Sequence, residues 1–371
     1  MKQLRILVIG GGIGGLTAAI ALGARGFAVD VIERDPDWSV YGVGIIQQSN
    51  VVRAMAQLGL LDDYLGAGFG FDFVEIYAPS GDRIARVPSP RLVKGCPANV
   101  GIARPALHKV LGERAKMAGA TVRLGVTAPR LDQDESGVTV SFSDGSEARY
   151  DMVVGADGIY SDTRAMLFPD APRPQFTGQS VWRHNFPRAP DIDGLHAYEG
   201  RIGVGLVPLS EAQMYMYVTT PEPGNPRYPR DGLAAAMRGK LAGMPPRIAA
   251  LSADITDDDG VIYKPLETLM LGGPWHRGRV VLLGDAVHAS TPHLGQGAGM
   301  AIEDAIVLAD ELTRAASPDE AFQAYRARRF ERCEYIVSAS RGVCDSQLGK
   351  APPIDYAAVT RGMFETLARP I

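Results

Sequence analysis

Residues Arg5–Arg34 read RILVIGGGIGGLTAAIALGARGFAVDVIER, and the rest of the 371-residue chain is organised around them. A short apolar run, Ile6–Ile9, leads into a glycine cluster. An alanine-rich apolar segment, Leu16–Ala24, follows, and a second apolar run ends at Glu33. Gly10, Gly12 and Gly15 stand at the G-x-G-x-x-G spacing, with Gly14 inside it. Between a strand and a helix, the first glycine permits a tight turn and the second lets backbone approach a pyrophosphate. The third lets helix and strand pack closely. The helix start then offers unpaired N–H groups and a positive dipole end to phosphates. Glu33 closes the second strand 18 residues after Gly15, with Arg34 beside it. A carboxylate there can accept both hydroxyls of a ribose and favours a free 2′-hydroxyl over a 2′-phosphate. The pattern predicts dinucleotide binding without saying which dinucleotide.

Ile6–Ala24 is also 19 residues without a charge, preceded by Lys2 and Arg5, which imitates a signal peptide or membrane span. Six of those residues are glycine, five of them clustered at a turn, which suits neither. No other stretch approaches spanning length, so no membrane partner is expected. Apolar content of 46 %, charged content of 22 % and a net charge of −4 fit a soluble globular enzyme. With no Lys/Arg run, they argue against a nucleic-acid partner. Cys96, Cys333 and Cys344 are odd in number and form no C-x-x-C, so neither a disulfide framework nor a zinc site is indicated. The six histidines lie at no ligand spacing, and no metal is expected. A reduced, cytoplasmic setting and a monomer or homodimer are the expectation.

Along the chain, Gly42 and Gly44 let a loop run close to a flat ligand, and Val51–Leu65 is one amphipathic segment. Phe73–Val87 reads as a hairpin around Pro79–Asp82, and Arg104–Ala118 as a helix that Pro105 can start. Val122–Val126 is a strand, and Val138–Phe142 pairs with Ala148–Val154 in a hairpin. From Arg173 to Pro274 prolines multiply and alternating runs appear at Gly203–Val207, Met214–Val218 and Ile262–Lys264, with one helix, Leu233–Leu241. This predicts a largely antiparallel sheet inserted into the dinucleotide domain. Gly297–Ala315 and Pro318–Leu348 return to helix.

Two further segments carry chemistry. Val153–Arg164 (VVGADGIYSDTR) runs from a strand through Asp157-Gly158 to a helix start with Ser161 as N-cap. Arg279–Asp304 (RVVLLGDAVHASTPHLGQGAGMAIED) runs from a strand through Gly284-Asp285 and Pro292 to a helix opened by Gly295-Gln296-Gly297. Either alone is an ordinary strand-to-turn device. Together, in this order, they make the chain resemble the single-component FAD-dependent aromatic hydroxylases of the para-hydroxybenzoate hydroxylase type. Within that family it is most similar to bacterial hydroxylases of small heteroaromatics such as the FAD-dependent urate hydroxylases.

The resemblance implies an α/β fold: a Rossmann-like FAD-binding domain, an inserted mainly antiparallel substrate sheet, and C-terminal helices. The expected boundaries are 1–72, 98–174 and 275–349 for the FAD domain, 73–97 and 175–274 for the substrate domain, and 350–371 for a C-terminal tail. It implies tightly held FAD, with NAD(P)H and O2 as cosubstrates and oxygen transfer through a flavin C4a-hydroperoxide to a small aromatic or N-heteroaromatic ring. Asp285 would bond the ribityl chain, Arg104 the phosphates, and Asp157 the pyrophosphate region. Pro292 and Gly295 would shape the flavin loop. Gly297, Ala298 and Gly299 would turn a positive helix end toward the flavin N1–C2=O.

For the substrate, Tyr215 and Tyr217 share one strand face, and Tyr215 falls where the similar hydroxylases place a pocket tyrosine. Arg183, with His184, would hold an anionic substrate or relay a proton, and His293 would act on the substrate near the ring. Each has an ordinary structural alternative: a strand core for the tyrosines, a polar strand end for Arg183 and His184, and bonding of backbone carbonyls near a loop for His293. In the urate hydroxylases an arginine precedes the strand matching Val204–Val207. Here that position is Gly203, with Arg201 two residues earlier, a departure that argues against urate itself. A reductase acting on isoprenoid chains and a non-catalytic FAD-binding redox protein are the competing readings. The W-x-W-x-I-P motif of flavin halogenases is absent, and so is a second framed glycine fingerprint for a separate nicotinamide domain.

Overall fold

A computed structural model describes residues 4–40 and 42–371. The chain opens with β1 (Arg5–Ile9), α1 (Ile13–Gly23), β2 (Ala28–Glu33) and β3 (Gly44–Gln47), then α2 (Ser49–Gln57) and α3 (Leu61–Gly66). It continues through β4 (Gly68–Phe71), β5 (Phe73–Tyr77), β6 (Arg83–Pro88), β7 (Asn99–Ala103), α4 (Arg104–Met117) and β8 (Thr121–Leu124). Next come β9 (Arg130–Asp134), β10 (Gly137–Ser141), β11 (Glu147–Tyr150), β12 (Met152–Gly155) and α5 (Asp162–Leu167). The insert holds β13 (Gln175–Pro187), β14 (Leu195–Tyr198), β15 (Gly203–Pro208), β16 (Gln213–Pro221), α6 (Leu233–Lys240), α7 (Pro246–Ala253) and β17 (Ile262–Thr268). The chain closes with β18 (His276–Arg277), β19 (Val280–Leu282), α8 (Asp285–His288), α9 (Gly297–Arg314), α10 (Pro318–Gln347) and α11 (Tyr356–Ala368).

The first sheet has the order β18-β19-β12-β1-β2-β8, parallel except for β18. Its central strands are buried runs, as both-face burial of a parallel sheet requires: Ile6, Leu7 and Val8 are fully buried. The glycine cluster lies at the carboxyl end of β1, beside the carboxyl ends of β12 and β19. Ligands bind at that edge in open α/β sheets.

The second large sheet has the order β17-β13-β16-β15-β14-β5-β6 and is antiparallel except where β14 meets β5. Register assigns its faces. Arg183, Tyr217, Gly205, Ala197 and Ile76 form one row across five strands, so all point the same way. His184, Met216, Leu206, His196 and Glu75 form the neighbouring row on the other face. That second face is covered by α6 and α7 through Leu233, Met237 and Ile248. The first face looks toward the domain of the first sheet and bears the cavity described below.

Several sequence expectations change in detail. The amphipathic segment 51–65 is two helices, broken at Gly59, whose φ of +68° ends the first. The Ala148–Val154 run serves two sheets: β11 pairs with β10, while β12 enters the parallel sheet beside β1. The change of sheet falls at Asp151, the residue between β11 and β12. β9 joins β10 and β11, and the insert has two helices instead of one. Segment 318–348 holds a single 30-residue helix, Pro318–Gln347, with Ser317 as its N-cap. Segment 350–371 contains α11, which packs on the body of the protein.

Candidate active site

The glycine turn is closed on the protein side and open on the other. A Cβ at Gly10 would lie 2.4 Å from the Ala156 carbonyl oxygen, and one at Gly15 would lie 1.9 Å from that of Gly10. A Cβ at Gly12 would meet nothing within 4 Å. Gly14 serves packing, its α-carbon facing Leu283 and Ala301. α1 starts behind Gly12 with no side-chain cap, so no side chain claims its first-turn N–H groups. The Glu33 carboxylate accepts from the Gly11 N–H at 2.8 Å and the Asp35 N–H at 2.9 Å, which braces the turn. Trp38 Nε1 and His108 Nε2 both donate to the Gly11 carbonyl at 2.9 Å, their rings edge to face. Neither residue carried a local sequence signal. Arg34 is exposed beside this edge.

Asp157 accepts from Ser161 Oγ at 2.5 Å and from the Thr163 N–H and hydroxyl at 2.9 Å each. Ser161 in turn caps α5 by accepting from the Arg164 N–H. The buried Arg164 donates to the carbonyls of Ile159 and Ala286. Its guanidinium thereby ties the Asp-Gly turn to the Gly-Asp turn.

Asp285 differs from Asp157. Its carboxylate has no hydrogen-bond or ion-pair partner among the described residues and is open to the cleft. The surrounding protein raises its pKa, opposed by the charges of His288 and Arg104. Ser290 Oγ, buried without a partner, lies near Gly297 on the same side. α9 begins at Gly297, again without a side-chain cap, followed by Ala298 and Gly299. Unclaimed donors and a lone acceptor thus converge where a polyhydroxyl, phosphate-bearing cofactor fits.

Beneath this lies a buried network that sequence reading reached only as Glu303-Asp304. Arg329, fully buried, donates to Glu303 at 2.6 Å and to Asp304 at 2.7 Å, and His288 Nε2 bonds Asp304 at 2.6 Å. Asn50 links Glu303 to Gln296 at 3.1 Å, and Gln48 donates to the Leu294 carbonyl at 3.0 Å. The Pro292–Gly295 turn is therefore anchored to a buried ion cluster. Burial opposes charge on His288, yet Cys333 and Asp304 beside it raise its pKa well above the ordinary value. His288, Asp304 and Cys333 offer ligand-type atoms within 4.8 Å of one another, but Arg329 already neutralises that carboxylate.

The cavity opens between the second sheet, the Pro292–Gly295 turn and α11, with about 890 Å³ of empty space counted out to its mouth. Its floor is the sheet face bearing Val74, Ile76, Leu195, Ala197, Gly203 and Tyr217; Met363 and Phe364 of α11 form a wall. Tyr217 lies flat against Gly205, where a Cβ would come within 2.1 Å of its ring. Its hydroxyl pKa is raised by burial, then by Tyr215 and Tyr356, so it stays protonated.

Tyr215 does not reach the cavity. It is 4 % exposed and its ring packs on Gly44, which explains that glycine by a tyrosine and not by a flat ligand. Arg183, one strand beyond Tyr217, is off the cavity lining as well. Burial lowers its pKa to about 10, helped by Arg104 and opposed by Tyr215 and Tyr217, and it stays charged at neutral pH. His184 is on the opposite face of β13, against Phe186 and Gly260, so it cannot work with Arg183.

His293 lines the cavity. Burial lowers its pKa to about 4, against a bond from Gln347 that raises it, so the ring is neutral at pH 7. Its Nδ1 pairs with Thr291 at 2.9 Å and its Nε2 with Gln347 Oε1 at 3.2 Å. Gln347, the last residue of α10, also accepts from Gln179 at 2.9 Å and Thr219 at 3.2 Å. No local pattern marks it, because its partners lie far away in sequence.

A family model described as FAD binding domain matches residues 3–231 and 268–340. The putative FAD-dependent monooxygenase YetM of Bacillus subtilis is 31 % identical over 356 residues, 95 % of each chain. The aurachin C monooxygenase/isomerase of Stigmatella aurantiaca is 32 % identical over 348 residues, 91 % of this chain and 88 % of that one. The structure of Klebsiella pneumoniae HpxO complexed with FAD and uric acid superposes with a TM-score of 0.83 at 28 % identity, covering 98 % of this chain and 92 % of HpxO. Family, fold and full-length similarity agree: the chain belongs to the FAD binding domain family and is an FAD-dependent monooxygenase of the aromatic hydroxylase group.

Proposed function

We propose that the protein uses NAD(P)H and O2 to hydroxylate a small aromatic or N-heteroaromatic compound held in the cavity beside the Pro292–Gly295 turn. The observation that carries this reading is the juxtaposition of two sites: a cofactor cleft with unclaimed donors at two helix starts, and an apolar cavity sharing the turn between them. FAD, reduced by a nicotinamide, supplies the activation of O2. Gly10, Gly12 and the start of α1 would take its pyrophosphate with Arg104, and Glu33 its adenosine ribose, with Arg34 at the rim. Asp285 would accept from a ribityl hydroxyl, which would satisfy its bare carboxylate. The N–H groups of Gly297–Gly299 would face the flavin ring and stabilise negative charge there.

The cavity residues would orient the substrate and keep water out. Tyr217 offers a protonated hydroxyl to a ring oxygen or nitrogen. His293, neutral, is a hydrogen-bonding group and at pH 7 a weak base. Arg183 acts from behind Tyr217, favouring negative charge on an activated ring by its field alone. Tyr215 positions Tyr217 and the Gly44 strand.

The reading is tested by loading the protein with FAD and screening heteroaromatic phenols. NAD(P)H oxidation, O2 uptake and oxygenated product are followed together. Substrate-stimulated oxidation with stoichiometric oxygenated product is expected. Oxidation that yields only hydrogen peroxide with every compound overturns it.

A further inference from the structure

The cavity is unusual in what does not line it. Among the described residues no lysine or arginine reaches it, and its one ionisable acid is Glu199. Burial and Asp355 raise the Glu199 pKa, so a second negative charge there would be unwelcome. Arg201 is exposed and belongs to the adjoining surface depression, with Pro353 and Ile354. His293, the remaining candidate cation, is neutral at pH 7.

What the cavity has is a fixed amide. Gln179, Thr219 and His293 all bond Gln347 Oε1, and the amide is assigned with its oxygen toward them. Its Nε2 therefore lies over Gly203, where a Cβ would approach within 2.9 Å, and beside the Tyr356 hydroxyl. Away from this polar end the lining is mainly apolar, from Phe71 and Val74 on one side to Met363 and Phe364 on the other, with Gln48, Asn99 and Thr360 as its polar members.

Resting on the hydroxylase reading above, we propose that the substrate is an uncharged ring carrying an apolar arm. Its carbonyl or pyridine-type acceptor is read by the Gln347 amide N–H, which makes Gln347 a specificity-determining residue. A carboxylate would be desolvated with no cation to meet it, which is costly. An alkyl arm between the sheet and α11 would gain by burial, with two methylenes already worth about tenfold in affinity.

The experiment is calorimetric titration of the FAD-loaded protein at pH 7.5 with three matched probes. These are 4-hydroxyquinoline, its 2-pentyl derivative, and 4-hydroxyquinoline-2-carboxylate. The pentyl probe should bind at least about tenfold more tightly than the parent. The carboxylate should bind at least about tenfold more weakly than the parent. Gln347→Leu should weaken the parent by about tenfold, with retained FAD showing that the variant is folded. Thr360→Lys, on the half-buried wall of α11, should shift the preference toward the carboxylate without needing Gln347 at all. A carboxylate that binds as well as the parent, a pentyl probe that gains nothing or fails to bind, or unchanged selectivity in Thr360→Lys overturns the proposal. Tight pentyl binding with no oxygenated product overturns the hydroxylase reading for these compounds and leaves this inference standing. Product formed preferentially from the carboxylate does the reverse.

Discussion

The proposed cofactor cleft and the proposed substrate cavity meet at one turn and are built by opposite means. The cleft is made of backbone: glycines that admit it, helix starts that expose N–H groups, and one bare carboxylate at Asp285. The cavity is made of side chains from β5, β14, β15, β16, α10 and α11, brought together over long sequence distances. Backbone chemistry is the same in every residue, so a cleft of this kind depends on where glycine is placed. A cavity of side chains can change its ligand one residue at a time while the cleft stays as it is.

The sharpest test of this contrast lies within the glycine turn itself. Gly15→Ala drives a methyl to 1.9 Å from the Gly10 carbonyl, so the turn must open. The variant should purify without flavin and melt at a lower temperature. Gly12→Ala meets no protein atom. It should melt with the flavin-free wild type while holding FAD at least about tenfold more weakly, because only the ligand would feel the methyl. Equal flavin retention by both variants would break the distinction between protein-facing and ligand-facing glycines.

The ion cluster beneath the shared turn comes next. Arg329→Met leaves Glu303 and Asp304 buried without their main cation. Denaturant unfolding should show a loss of about 3–5 kcal/mol. A loss under about 1 kcal/mol would mean that Arg53 and Arg332 hold the cluster by themselves.

Asp285→Ala should lower FAD affinity by about ten- to a hundredfold in a fluorescence titration of the flavin-free protein, with little change in melting. Unchanged affinity would show that the carboxylate has no cofactor partner.

The smallest effect concerns pH. His293 has a folded pKa near 4, below the unfolded value of about 6.5. The unfolded chain therefore binds the extra proton between these limits. His293 should cost nothing above pH 7 and remove about 1–2 kcal/mol as pH falls from about 6.5 toward 5. His184 and His196, also lowered by burial, add the same kind of slope. The test is accordingly the difference between wild type and His293→Gln, whose stability should fall less over that range.

Much of the cleft was legible in the sequence because its determinants are local. The spacing of Gly10, Gly12 and Gly15, the Ser161 cap and the Gly-Asp turn are each set within a dozen residues. Strand parity placed Tyr215 and Tyr217 on one face, and the register agrees. Parity also separates Arg183 from His184, adjacent in sequence and opposite in space. The cavity was hidden for the complementary reason. Gln347 meets Thr219 across 128 residues and Gln179 across 168, and no period or motif encodes such meetings. The α11 wall was hidden too, because a short helix after a loop has no spacing that says which surface it will cover.

Gly203 lies on the cavity floor and Gly205 lies behind Tyr217. One leaves space for the Gln347 amide and the other for the flat face of Tyr217. The room that the substrate would use is thus recorded as two missing β-carbons on neighbouring positions of one strand face. A glycine codon lies a single base from alanine, valine, aspartate or arginine. On the reading proposed above, ligand choice sits where a single base change can revise it, apart from the glycine turn that would hold the cofactor. An ancestor or descendant with a cation at position 203 would displace the amide and exchange a neutral ligand for an acidic one in a single evolutionary step.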